Sequence, residues 1–257
     1  MTQKKKLIAA YVIVSLLAVF TLNYLTGSFV RKYPRYKATI TSVIDGDTVT
    51  TENGEKVRLL GINAPEKGQF YYEEAKRALE RMVGNKSVEL EIDTKDKDAY
   101  GRSLRYIFVD DSFVNLEMVK SGYAHTYIIY PNVRYKALLT EAQNFAREKK
   151  LGIWKPSVYS GCVVIQDFSF DDKNEFVEFK SVCDSLNVSG WYVTDESSRN
   201  VFYFPSILLS DIVLHTGYGK SNSTDLFWDS NPVWNDDGDT IFLRDSNGLL
   251  VLSYSYP

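Results

Sequence analysis

At 257 residues the chain has room for two modest domains beside a terminal segment, and its 44% hydrophobic content excludes a disordered protein. The formal net charge of −3 hides an uneven distribution: residues 1–32 carry five basic and no acidic side chains, 33–155 carry 20 and 18, and 156–257 carry five and 15. Only the middle stretch could meet a polyanion, provided its cations cluster, whereas the C-terminal stretch as a whole would repel one.

Lys4, Lys5 and Lys6 precede residues 7–25, a run without a charge. That is about the length needed to span a bilayer as a helix, and Tyr24 stands where an interfacial aromatic would lie. A cleaved signal has a shorter apolar region and a small-residue cleavage site, which this run lacks. Residues 1–32 are therefore expected to anchor the chain in a membrane, with a removed signal and secretion as the alternative. Arg31, Lys32, Arg35 and Lys37 follow the run, so charge does not set its orientation.

Residues 36 to 108 read mostly as strands, over 36–43, 47–52, 56–62, 87–92 and 103–109, with Asn53-Gly54 as a hairpin turn. Apolar residues at helical spacing predict helices over 69–83, 114–121 and 132–149. Near Pro156 the composition changes. Beyond it, short apolar runs rich in Val, Phe, Tyr and Trp recur between polar turns at 171–174, 197–200, 236–238 and 246–248, the spacing of a β-sandwich. Cys162 and Cys183 lie in this part without a C-x-x-C or histidine cluster, which argues against structural zinc. In an exported chain they are candidates for a disulfide; otherwise they would be two buried thiols.

Two short stretches carry the chemistry. Ile44-Asp-Gly-Asp-Thr-Val49 and Arg58-Leu-Leu-Gly-Ile-Asn-Ala-Pro-Glu66 place an arginine, a glutamate, two aspartates and an asparagine on neighbouring strands and turns. Oxygen donors of this kind suit a hard cation, and a phosphate between cation and arginine would be polarised from two sides. Any one of these residues alone would be an ordinary hairpin charge. Together with Tyr100-Gly101-Arg102 and Gly152-Ile153-Trp154, their order and spacing resemble the staphylococcal nuclease (thermonuclease) family.

The resemblance implies a five-stranded OB barrel with helices over 33–156. It also implies roles. Asp47 and Asn63 would ligate Ca2+ with the Ala64 carbonyl; Asp45 would act through water, and Thr48 would support the loop. Glu66 would take the proton of the attacking water or hold that water in place. Arg58 and Arg102 would bind the phosphate with planar forks. Tyr127 and Tyr130 fall where the family places tyrosines that stack on a base or touch a phosphate, although the match is inexact. Asn63 departs from the family's aspartate. It keeps a carbonyl oxygen but removes a full charge, so weaker calcium binding is expected. Ala99 replaces a lysine, with some loss of phosphate affinity. His125 and His215 stand alone and read as packing or surface residues.

Residues 157–257 resemble a lamin-tail domain through Asn174-Glu-Phe-Val-Glu-Phe179, Leu186-Asn-Val-Ser-Gly-Trp191, the stretch 233–240 and the closing Ser253-Tyr-Ser-Tyr256. That likeness implies an immunoglobulin-like sandwich, with Trp191, Trp228 and Trp234 in its core and a partner the sequence does not name. The expected function is a calcium-dependent nuclease, anchored at the cell surface and extracytoplasmic. It would hydrolyse phosphodiester bonds of DNA and RNA with low sequence specificity, favour single strands and leave 3′-phosphates. The alternatives are a nucleic-acid-binding OB module that cleaves poorly, and a cell-surface adhesion or scaffold protein.

Overall fold

Alternation of buried and exposed residues starts the first strand, β1 (Arg35–Val43), in which Ala38 and Ile40 turn inward. β2 (Thr48–Thr51) and β3 (Lys56–Leu59) follow across the Asn53-Gly54 turn, then the two-residue β4 (Ile62–Asn63). After helix α1 (Tyr72–Val83) come β5 (Ser87–Glu91), β6 (Ser103–Val109) and β7 (Ser112–Phe113). Helix α2 (Val114–Lys120), β8 (His125–Thr126) and helix α3 (Lys136–Glu148) complete this half. The computed structural model describes residues 33–256 except 172–173, 229–231 and 236–237. The apolar run of 7–25 and part of the turn at 236–238 lie outside the described residues. Among the described residues no helix is long and apolar enough to cross a membrane.

β1 pairs antiparallel with both β2 and β5, β2 with β3, and β5 with β6. A parallel β3–β6 pair closes the ring, so five strands make a barrel without a free edge at the seam. Ile40, Val49, Val57, Leu90 and Ile107 fill it, with Leu79 of α1, Met118 of α2 and Leu139 of α3 sealing its surface.

Three departures from the sequence-predicted elements have local causes. The strand expected over 56–62 breaks at Gly61, whose φ is +75°. A Cβ there would stand 2.5 Å from Leu139 Cδ1. The chain bends, and β4 leaves the barrel to pair with β8, setting Asn63 opposite His125. α1 begins at Tyr72 because Tyr71 is left-handed at φ +72°. α3 begins at Lys136 because the residues before it bond elsewhere: Asn132 Oδ1 accepts the Lys95 N–H at 2.7 Å, and the Arg134 N–H donates to Asp93 at 3.0 Å.

The C-terminal half is all β. One sheet joins β16 (Asp225–Trp228), β15 (Asp211–Thr216), β10 (Phe176–Ser181) and β9 (Val163–Ser169) in that order. The other joins β13 (Val201–Tyr203), β12 (Tyr192–Thr194), β17 (Asp239–Arg244) and β18 (Leu250–Tyr256). β11 (Leu186–Asn187) and β14 (Leu208–Leu209) form a small ladder between them in sequence. Phe179, Ile212 and Leu214 from the first sheet share a core with Val193, Ile241 and Leu243 from the second, and Trp191, Trp228 and Trp234 are buried there. The pairing is antiparallel except for β15–β16, which run parallel. A disulfide joins Cys162, just before β9, to Cys183, just after β10.

The two halves pack into one compact unit spanning Arg35–Pro257. Ala146, Ile153 and Trp154 of the first half form a cluster with Phe242 of β17. His125 stacks on the same phenyl ring at 5.2 Å. Burial, then the positive charges of Arg244 and Arg58, push the His125 imidazole down to about 3, so it packs as a neutral ring. Arg244 is buried and donates to the carbonyls of Ile153 at 2.9 Å and Gly248 at 3.0 Å.

Candidate active site

The register of β2 and β3 sets Thr48 opposite Arg58, and Asp47 directly precedes that pair. The turn leading in is tight. The Asp47 N–H donates to Asp45 Oδ1 at 3.0 Å, and a Cβ on Gly46 would lie 2.6 Å from Ala64 Cβ, so the turn rests against the loop after β4. Asp47 is buried and its carboxylate joins three elements. Oδ1 accepts from Thr48 Oγ1 at 3.0 Å and pairs with Arg58 Nε at 3.1 Å, while Oδ2 accepts the Ala64 N–H at 2.8 Å. Arg58 also donates to the carbonyls of Leu59 and Ile62, each at 2.7 Å, and to Asn63 Oδ1 at 2.8 Å. Asp45, Asp47, Thr48, Arg58, Asn63 and Ala64 thus form one connected network.

Asn63 does more than its place in the motif suggests. Its Nδ2 donates to the carbonyls of Glu196 and Ser197, both at 3.0 Å, in the loop between β12 and β13. Guanidinium on one side and carbonyls on the other permit only this orientation of the amide. A carboxylate here would face two carbonyl oxygens without a proton between them, which gives a physical reason for asparagine. The next carbonyl of the same loop, Ser198, accepts from Gln69 Nε2 at 2.7 Å, and Gln69 Oε1 accepts the Glu66 N–H at 2.8 Å. The C-terminal half therefore grips both the network and the Glu66 turn.

The remaining expected residues are placed as follows. Glu66 is exposed, and among the described residues no hydrogen bond or ion pair engages its carboxylate or joins it to either arginine. Arg102 is held by Asp98, with Nε 2.7 Å from Oδ2. Burial would raise the Asp98 carboxyl, but the Arg102 hydrogen bonds and charge hold it below the usual range. Arg58 and Arg102 line one cleft of about 240 Å³ together with Tyr100, Tyr127, Asn132 and Arg199. Tyr127 has its hydroxyl pKa raised by burial and then by Asp195. Tyr130 is not in this cleft: it is 63% exposed, and its hydroxyl accepts from Lys136 Nζ at 3.2 Å.

Sequence reasoning placed a polar turn at 197–200 but missed its docking on Asn63 and Gln69. The Asp and Ser content of 195–199 signals a turn and nothing about where the turn docks. The loop also carries carboxylates in tight surroundings. Burial raises Asp195 to about 6 and Glu196 to about 7, and raises Asp239 beside them. Their oxygens accept from backbone and hydroxyl groups rather than cations: Asp195 from Ser197 Oγ at 2.9 Å, Glu196 from Thr240 Oγ1 at 2.6 Å.

The network can be tested against a cation. Among the described residues no group of three or more His, Cys, Asp or Glu side chains gathers to hold a metal. Asp45 and Asp47 would supply two carboxylates, supplemented by neutral oxygens from Asn63 and the Ala64 carbonyl. An all-oxygen set fits calcium rather than zinc. Burial, followed by the charge of Asp47, pushes Asp45 up to about 6, and such a crowded pair gains from a neighbouring cation. Arg58 already takes one oxygen each of Asp47 and Asn63, so a cation would share them.

Residues 56–156 match the family model described as "Staphylococcal nuclease homologue". A thermonuclease of Staphylococcus intermedius is 36% identical over 122 residues, covering 44% of this chain and 73% of that protein. A thermonuclease of Staphylococcus hyicus is 34% identical over 121 residues, covering 44% and 72%. Endonuclease YncB of Bacillus subtilis is 34% identical over 142 residues, covering 49% and 67%.

Proposed function

Because the chain belongs to the staphylococcal nuclease family, we propose that the Asp47–Arg58–Asn63 network and the cleft beside it hydrolyse nucleic acid with the help of calcium. The chain is a nuclease, a phosphodiester hydrolase. The finer reading is a calcium-dependent enzyme acting on DNA and RNA with low sequence specificity, favouring single strands. The observation that carries it is Arg58, fixed by the Asp47 carboxylate, lining one cleft with Arg102.

In this reading a phosphodiester enters the cleft with its non-bridging oxygens against the two guanidinium groups. Arg102, bonded to Asp98 through Nε, presents its Nη donors to two oxygens. Arg58, with Nε, Nη1 and one Nη2 hydrogen given to Asp47, Leu59, Ile62 and Asn63, offers one remaining N–H and its charge. Charge that builds on the phosphorus oxygens in the transition state is met by donors already in place, so little reorganisation is needed. Glu66, with no competing partner among the described residues, takes a proton from the attacking water. The water oxygen bonds to phosphorus as the P–O5′ bond breaks. The departing O5′ gains a proton from solvent, leaving a 3′-phosphate. Calcium held by Asp45, Asp47, Asn63 and the Ala64 carbonyl would supply Lewis-acid polarisation of the phosphate. Its affinity is expected to be modest, because Asn63 brings no charge and Arg58 competes for the same oxygens.

We extend the proposal to location. The uncharged run of 7–25 supports a membrane anchor, and the Cys162–Cys183 disulfide supports an oxidising, extracytoplasmic space. The two-sheet C-terminal half supports a lamin-tail-like accessory domain with an unidentified partner.

The test is a calcium titration of single-stranded DNA cleavage by the parent protein and Glu66→Gln. Cleavage that requires calcium and falls by about 10²–10⁴-fold in the variant is expected. DNA binding without cleavage at any calcium concentration would replace the enzyme by a binding module.

A further inference from the structure

We propose that Arg199, carried by the C-terminal half, is a substrate-binding residue of the nuclease cleft and contacts a phosphate next to the one being cut. The proposal rests on the nuclease reading above and adds to it a residue outside the family match at 56–156.

Position is the first argument. The loop between β12 and β13 is seated by three carbonyls on Asn63 and Gln69, and the residue that follows these anchors lines the cleft of Arg58 and Arg102. Its backbone is set as well, since the Arg199 N–H donates to Ser197 Oγ at 3.3 Å.

Charge is the second argument, and it is independent of the first. The Tyr100 ring has the Arg102 guanidinium 5.6 Å from its centroid and that of Arg199 at 5.4 Å, and the Tyr100 hydroxyl accepts from Arg199 Nη1 at 3.3 Å. Two cations over one ring repel each other. Arg102 is neutralised by Asp98, whereas among the described residues no carboxylate pairs with Arg199. A guanidinium held beside others without a counter-ion is suited to an incoming anion. In a nuclease cleft, that anion is the substrate backbone.

The far side of the loop has the opposite character. There Glu196 and Asp239 line a groove with Tyr127 and Tyr130. Lys136 is the one cation among the described residues lining that groove, against three arginines on the cleft side, so the stronger positive field for a single strand lies past Arg199. Tyr100, 72% exposed between the two arginines, offers a ring for a base.

The experiment uses the full chain carrying Glu66→Gln, so that substrate survives, with calcium and a fluorescent oligothymidylate. Binding is followed by anisotropy as salt is varied. Arg199→Ala should weaken binding several-fold and flatten the slope of log K against log salt by about 0.7, the loss of one phosphate contact on a single strand. Arg199→Lys should restore the slope. With Glu66 intact, Arg199→Ala should raise KM and leave kcat unchanged. An unaltered slope and KM in Arg199→Ala, alongside a parent that cleaves, would overturn this proposal and leave the nuclease standing. A parent that neither binds nor cleaves would overturn both.

Discussion

The two halves handle buried charge in opposite ways. In the barrel, carboxylates are met by guanidinium groups: Glu91 is only 1% exposed and lies 3.0 Å from Arg35 and 2.9 Å from Arg134, while Asp47 sits against Arg58. In the sandwich, Asp195, Glu196 and Asp239 are met by backbone N–H groups and hydroxyls, and burial raises all three. A cation compensates a carboxylate's lost hydration more fully than neutral donors do. The contrast sets arginine-paired carboxylates in the barrel against neutrally bonded, proton-binding ones in the sandwich, with Asp45, pushed up to about 6 by burial and Asp47, as the barrel's exception. The loop that joins the two environments is also the one that completes the cleft.

The largest test of this contrast is whether the halves fold together. Phe242 is buried between Trp154 and His125, so Phe242→Ala should cost about 3–5 kcal/mol in urea denaturation. The parent should unfold in one transition and the variant in two, as the barrel loses its support. Two transitions already in the parent, with little change on substitution, would mean the halves are independent.

Next in size is Asn63→Asp, which sets a carboxylate against the Glu196 and Ser197 carbonyls. Loss of those bonds should cost about 1–3 kcal/mol and speed hydrogen exchange in the 196–199 loop. The same change should lower the calcium midpoint by adding a charged ligand. Unchanged exchange would show that the loop docks without Asn63.

The smallest effect is on pH dependence, because the 195–199 loop can relax toward water. A carboxyl raised in the folded state binds its proton more tightly folded than unfolded. Its contribution is therefore fully present below the unfolded value and is lost as pH rises through the folded one, here about 6 for Asp195 and about 7 for Glu196. In chelator, Tm should fall by a few degrees between pH 5 and pH 8, at about 2–4 °C per kcal/mol, and Glu196→Gln should flatten the change. A Tm that climbs over that range would show that other groups dominate.

Much of the barrel could be read from sequence because its periodicity is local: the five strands follow from alternation and turns. The network was also legible, since Asp47, Thr48, Arg58 and Asn63 lie in two short stretches that a hairpin and one bend bring together. What could not be read is long-range. The bonds from Asn63 to residues 196–197 cross 133 and 134 positions, and the loop that receives them offers only backbone carbonyls, which leave no mark in a sequence. Arg199 looked like an ordinary turn charge for the same reason. Tyr130 fell outside the cleft, whose lining takes its neighbours Ile129 and Asn132 instead, while its own hydroxyl meets Lys136.

The three carbonyls of Glu196, Ser197 and Ser198 also tie the finished cleft to a late stretch of the chain. Translation delivers Arg58, Glu66 and Arg102 well before it delivers the loop that fastens Asn63 and Gln69. A nascent chain stopped anywhere between residues 157 and 195 would hold every residue of the family motif with its latch still missing. The cleft is completed only by residues 196–199, although its chemistry is written in the first half.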